Sequence, residues 1–270
     1  MTALTFIVPV ADEEVFHSNF LASPTLRGSH PHQIIPQRGF RCAGEAYTDG
    51  LDRALNDIVI FVHQDVVLPA NWDRQFCARL EELNTRGVKV GVVGCIGITA
   101  EGHAAGHIYR HDREFFPDIK LPVRVDSLDE LLICFRKSSA LRFDTNLPSF
   151  HFYAVDMCLQ AQARGKLNMV VDAPCFHQGK NRDGKPKEFF STRKYMARKW
   201  KRVLPVQTLS GVLDSRPESF WGQEARKAIR RILGQQAPYW WENLPKIDPE
   251  ALLYGNSELP LDREDAPSRL

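Results

Sequence analysis

The sequence predicts an α/β fold, a mainly parallel β-sheet flanked by helices. Three observations predict it. Short apolar runs recur at Leu4–Val10, Ile58–Val62 and Val90–Ile98, the pattern of strands covered on both faces. Stretches with helical spacing of apolar residues separate them, and strand–helix alternation argues for parallel pairing. The segment FVHQDVVLP, residues 61–69, ends a buried strand on His63, Gln64 and Asp65. Unpaired charge is costly to bury, so the trio should sit at a strand end facing a cleft. In open α/β sheets, ligands bind outside the carboxyl ends of the strands.

Each element follows from its own residues. Leu4–Val10 is β-branched and apolar, and Pro9 can end it as a strand; Gln33–Ile35 is a second, weaker strand. Glu45–Leu55 places Ala46, Leu51, Ala54 and Leu55 at helical spacing. Asn71 is expected to cap the next helix, which carries Trp72, Phe76, Leu80 and Leu83 and stops at Gly87. Val90–Ile98 reads as one buried strand containing Gly91, Gly94 and Gly97. Residues 99–122 read as a loop or hairpin with His103, His107 and His111. Leu131–Arg136 and Leu167–Val171 are strand candidates, and Phe152–Arg164 is a helix with Gly165 after its end. Glu218–Leu233 is a basic amphipathic helix, and the Pro- and acid-rich end is a loosely held tail.

Composition narrows the function classes. The chain has 270 residues, 43% hydrophobic and 25% charged, enough for a sizeable core. Net charge is +2, so no global attraction to a polyanion is expected. No apolar run approaches the roughly 18–20 residues that span a bilayer. The start, MTALTFIVPVADEE, lacks the basic n-region of a signal peptide and reads as a first strand. Cys42, Cys77, Cys95, Cys134, Cys158 and Cys175 form no CxxC pair, which favours buried thiols in a reducing cytoplasm. Peripheral contact with the inner face of a membrane stays open.

Five polar clusters can carry chemistry. Asp65 at its strand end can bind Mg²⁺ or Mn²⁺, which clamps a diphosphate, or can cap the following turn. Asp126, Asp129 and Glu130 can meet sugar hydroxyls or cap a turn. His151, Tyr153 and Asp156 fall around the first turn of a helix, where a carboxylate is dipole-stabilised or serves as general base. His177 can supply imidazole to a metal at Asp65 or lie polar at the surface. From Lys180 to Arg202, ten Lys or Arg face two acids, a local +8 that leaves −6 elsewhere. That localisation favours a small anionic ligand over a long nucleic acid. The glycines of Val90–Ile98 do not form GxGxxG, and neither GxxxxGK[ST] nor GxSxG is present.

In order, FIVPV, GEAYTDGLDRA, IVIFVHQDVVLP, VDSLDELLICFRKS, LRFDTNLPSFHFYAVDMCLQA and CFHQGK run along the chain. This series closely resembles the GT-A-like glycosyltransferases that carry an FVHQDV motif, relatives of family 2 and of the StrF-type domain. The resemblance covers roughly residues 4–205 and leaves 206–270 as a helical C-terminal extension and tail. It implies a Rossmann-like GT-A domain with a mixed, mainly parallel sheet. His63-Gln64-Asp65 stands where other members have Asp-x-Asp, which makes Asp65 the metal ligand, joined by His177 and by His63. Val8, Pro9 and Ala11 match the first-strand end that contacts the nucleobase. Asp126 and Asp129 match the donor-sugar and acceptor pocket, Lys180 adds charge for the diphosphate, and Asp156 matches the base of inverting members. The chain departs from the pattern at Thr48, where many relatives have Asn, and at Pro36-Gln37, where an acid often reads the nucleotide.

The expected function is therefore a metal-assisted, inverting glycosyltransferase. Its donor would be a nucleotide-diphosphate sugar, its acceptor a glycan or small hydroxyl compound, its cofactor Mn²⁺ or Mg²⁺. Two other classes stay open. One is a GT-A module that binds nucleotide or glycan without turnover. The other is a metal-dependent hydrolase built on His63, Asp65, His151 and His177.

Overall fold

A computed structural model describes residues 2–116, 119–179, 185–215 and 244–254. The expected class is the one found, a mixed α/β fold around a seven-stranded sheet. Its strands in chain order are β1 (Thr5–Pro9), β2 (Gln33–Gln37), β3 (Ile58–Val62), β5 (Val90–Gly94), β10 (Val123–Val125), β12 (Leu132–Arg136) and β13 (Leu167–Val170). Across the sheet the order is β10-β13-β5-β12-β3-β1-β2. The strands β1, β2, β3, β5 and β13 run one way, while β12 and β10 run against their neighbours.

Alternation within the strands builds two cores. Ile7, Val59, Phe61, Ile133 and Phe135 point to one face. There Tyr47 and Leu51 of α2 (Ala43–Arg53) and Met157 of α4 (Tyr153–Gln162) cover them. Phe6, Val8, Ile60, Val62 and Cys134 point to the other, under Trp72, Phe76 and Leu83 of α3 (Trp72–Thr85). Because successive strand residues face opposite sides, a five-residue apolar run needs cover on both. That is why Ile58–Val62 is buried at every position.

Two expectations are corrected. Val90–Ile98 is not one strand: β5 ends at Gly94, and β6 (Ile96–Ile98) joins a separate sheet with β7 (Ala104–Gly106) and β11 (Ser127–Leu128). The close approach there requires glycine. A Cβ on Gly94 would lie 2.9 Å from the Leu132 carbonyl oxygen, and one on Gly97 2.6 Å from that of Ser127. Asn71 precedes α3 but makes no side-chain cap, because its backbone is left-handed (φ 61°). Instead the Thr25 hydroxyl accepts from the free Asp73 N–H of the first turn.

A third sheet, β4 (Val66–Val67), β14 (Cys175–His177), β8 (Ile108–Arg110) and β9 (Arg113–Phe115), stands at the carboxyl end of β3. Residues 244–254 lie against it, with Ile247, Leu252 and Leu253 on Val67, Tyr109 and Phe176. The core also continues past residue 205. Val206 and Leu213 are buried in it, and Ser127 Oγ donates to the Gln207 carbonyl at 2.7 Å. The amphipathic helix expected at Glu218–Leu233 lies outside the described residues. Among the described residues, no helix is long and apolar enough to cross a membrane.

Candidate functional site

The chain leaves β3 at Val62 and turns. His63 N–H donates to the Leu131 carbonyl, and Val66 N–H closes the turn on the His63 carbonyl. The turn exposes all three polar side chains to the cleft above the sheet. Gln64 Oε1 accepts from Ala11 N–H (2.8 Å) and Asp12 N–H (3.1 Å), tying the end of β1 to the site. The β4–β14 ladder then pairs His177 with Val66, next to Asp65. His177 Nε2 lies 3.5 Å from Asp65 Oδ2, and His63 Nδ1 lies 4.0 Å from Asp65 Oδ1. Residues 112 positions apart in sequence thus meet through one short ladder.

The trio fits a cation on three observations. One ligand atom from each of His63, Asp65 and His177 lies within 4.8 Å of the others. Asp65 Oδ1 is buried with no hydrogen-bond partner. Gly179 leaves a cradle, because a Cβ there would collide with Asp65 Oδ2 and His177 Nε2. Two imidazoles and a carboxylate suit Mn²⁺ better than Mg²⁺, which prefers all-oxygen sites.

Neighbouring hydroxyls set the His63 tautomer. Tyr153 Oη donates to the Glu130 carbonyl at 2.5 Å and accepts from Tyr47 Oη at 3.2 Å. Its only hydrogen is used, so at the 3.3 Å contact His63 Nε2 must be the donor. The lone pair then falls on Nδ1, the atom facing Asp65. Desolvation in the cleft lowers the His63 pKa, outweighing Asp65, which favours the neutral ring. Burial alone would raise the Asp65 carboxyl, but the His177 hydrogen bond and the two imidazoles hold it below its usual range. Neutral imidazole and ionised carboxylate are the forms that ligate metal.

A second cleft opens beside the trio, with a cavity volume of about 240 Å³. Asp129, Glu130, His151, Lys185, Phe189 and Thr208 are among its lining residues. Glu130 Oε1 is buried without a partner, and Oε2 lies 3.9 Å from His151 Nδ1. Burial pushes the Glu130 carboxyl up, although His151 pulls the other way.

The other expected residues divide. Asp129 lines the cleft, and its Oδ1 accepts from Leu131 N–H at 2.9 Å, the bond of a turn-capping acid. Asp126 is turned to the segment between Val206 and Leu213, accepting from Gln207 N–H at 3.4 Å. Pro9 and Ala11 sit at the end of β1 beside Gln64, whereas Val8 is fully buried in the core and offers the cleft no side chain. Lys180 lies outside the described residues. Asp156 is 2% exposed and fully engaged. Lys199 Nζ (2.7 Å) and Trp200 Nε1 (2.7 Å) hold Oδ1, and Gln160 Nε2 (2.9 Å) holds Oδ2. In this geometry no acceptor hydroxyl reaches it.

Sequence reasoning missed Gln64's bridging role, Glu130 as a cleft residue distinct from its neighbours, and Arg110. Arg110 Nη2 donates to the Gly179 carbonyl at 3.1 Å, which brings a cation near Asp65. The available signal for Arg110 was a cation that ends the short apolar pair Ile108-Tyr109.

No protein-family model matches the chain. It is 29% identical over 207 residues to a protein of Fuscovulum blasticum described as "ATP synthase subunits region ORF 6", covering 71% of this chain and 75% of that one. Among solved structures it is similar to S. aureus TarS 1-349, at 14% identity and a TM-score of 0.46, over 75% of this chain and 66% of that chain. The same TarS segment in complex with UDP gives 12% identity and a TM-score of 0.48, over 75% and 66%. A197 from STIV gives 11% identity and a TM-score of 0.39, over 69% of this chain and 98% of that one. The chain thus spans about two thirds of the TarS 1-349 segment.

Proposed function

We propose that this chain is a glycosyltransferase that moves a sugar from a nucleotide-diphosphate sugar to a hydroxyl acceptor. One observation carries the reading. A cation-competent trio with a glycine cradle stands at the carboxyl end of a parallel strand, beside an acid-lined cleft large enough for a sugar.

Asp65, His177 and His63 would hold Mn²⁺ or Mg²⁺. When bound, the cation offsets the charge that builds on the leaving nucleoside diphosphate. Arg110 adds a fixed positive charge on the same side. Pro9 and Ala11, fixed by Gln64, would flank the nucleobase. Asp129, Glu130 and His151 would orient the acceptor. Its hydroxyl would attack the anomeric carbon directly and invert it. Asp156, held by Lys199, Trp200 and Gln160, is not available to take the hydroxyl proton. The acceptor is a glycan or small hydroxyl compound. The setting is the reducing cytoplasm, in keeping with six free cysteines, five of them buried.

The test is nucleoside diphosphate release from a panel of nucleotide sugars with Mn²⁺, with and without glycan acceptors. The reading predicts acceptor-stimulated release that Asp65→Ala abolishes while the melting temperature holds. Release that no acceptor stimulates would instead mark a hydrolase. Full activity of Asp65→Ala would overturn the site.

A further inference from the structure

We propose that Glu130 is the group that takes the acceptor's proton, and that the cleft around it is the acceptor site. The proposal rests on the glycosyltransferase reading and deepens it. Transfer needs a carboxylate that a hydroxyl can reach, and the two candidates differ sharply. The Asp156 side chain is 2% exposed and held by three donors, whereas that of Glu130 is 22% exposed and opens on the cleft. Glu130 Oε1 has no hydrogen-bond partner, an arrangement that costs stability unless a ligand supplies one.

The surroundings hold Glu130 in place. Its carbonyl accepts from Tyr153 Oη, which also contacts His63 Nε2, so the cleft acid and the cation trio are linked through one hydroxyl. His151 stands beside Oε2, and its ring packs edge-on against Phe189, with centroids 5.5 Å apart. Lys185, Thr208 and Ser210 complete a polar wall suited to a polyhydroxyl compound. In the reaction, the acceptor O–H bond breaks and its proton passes to the Glu130 carboxylate, whose side chain opens on the cleft. The acceptor oxygen forms the new bond to the anomeric carbon. The bond from that carbon to the diphosphate oxygen breaks, and its electron pair leaves with the nucleoside diphosphate.

The experiment uses the full chain, Mn²⁺, three donor probes (UDP-glucose, UDP-N-acetylglucosamine and GDP-mannose) and three hydroxyl acceptors (glucose, N-acetylglucosamine and glycerol). Donor affinity is measured by calorimetry and turnover by nucleoside diphosphate release. Glu130→Gln should keep donor affinity within about twofold and lose turnover by on the order of a hundredfold or more. Glu130→Ala should be equally slow and regain turnover with added formate, which a merely structural role would not give. Asp156→Asn should melt earlier yet keep its turnover at temperatures where it stays folded. Unchanged turnover in Glu130→Gln, or a hundredfold loss confined to Asp156→Asn, would overturn the proposal. A wild-type chain that binds none of the donors would remove the transferase reading itself, and the proposal with it.

Discussion

His107, just before β8, and His177, in β14, which pairs with β8, each face carboxylates. Their geometries differ. His107 Nδ1 lies 2.6 Å from Asp172 Oδ1 and Nε2 lies 2.9 Å from Glu114 Oε1, so both ring nitrogens are satisfied. Around Asp65 the contacts to His177 and His63 open to 3.5 and 4.0 Å, Asp65 Oδ1 has no partner, and Gly179 puts no side chain between Asp65 and His177. The first cluster is closed and fixes β8 and β9 to the loop after β13. The second is loose in the manner of a site completed by a ligand. A polar cluster's function is read better from what it leaves unsatisfied than from which residue types it contains.

Four measurements would break or sharpen this contrast, from the largest effect to the smallest. Asp65→Ala should abolish Mn²⁺ binding by calorimetry with little change in melting temperature, since the deleted carboxylate has no complete set of partners to lose. Removal of the closed cluster should do the reverse. His107→Ala should cost roughly 3 kcal/mol in urea denaturation at about pH 6 and leave Mn²⁺ affinity alone. Gly179→Ala puts a methyl group into the cradle and should weaken Mn²⁺ at least tenfold, on the scale of a disturbed ligand shell. Tyr153→Phe frees the His63 tautomer and should weaken Mn²⁺ by about tenfold, with about 1 kcal/mol of stability lost with the hydroxyl's bonds.

The closed cluster also carries a pH signature. Burial alone would lower the His107 pKa, but its bonds to Asp172 and Glu114 override that and raise it. A raised folded pKa adds stability that is complete below the unfolded value of about 6.5 and fades as pH rises through the folded value. The stability gap between wild type and His107→Gln should therefore narrow as pH rises above about 6.5. A constant gap would mean that the imidazole is not charged.

How much of this was legible in the sequence varies with the range of the interaction. The strand Ile58–Val62 was fully legible, because burial on both faces forces a continuous apolar run. So was the polar trio after it, because His63 and Asp65 conflict with that run unless a cleft begins there. The break between β5 and β6 was not, because glycines that permit a close approach leave no mark on the hydrophobic pattern. Asp156 shows the same limit. Its place near a helix start was readable, but Lys199 and Trp200 arrive from α5 (Lys187–Lys199) and the residue after it. The basic stretch looked available to an anionic ligand. In part it is spent internally, with Lys199 on Asp144 and Asp156 and Arg193 on the Val212 carbonyl. Glu130 was hidden in plain view, because an acid just before a strand usually serves the turn, as Asp129 does here.

The most direct test is the thermal stability of the wild-type chain and Asp65→Ala with nucleoside diphosphates and nucleotide sugars, each with and without Mn²⁺. A donor at a hundred times its dissociation constant should add about 2.7 kcal/mol to the wild type, only with Mn²⁺ present and not in Asp65→Ala. No shift with any donor, or an equal shift in Asp65→Ala, would contradict the assignment of the loose cluster as the donor's cation site.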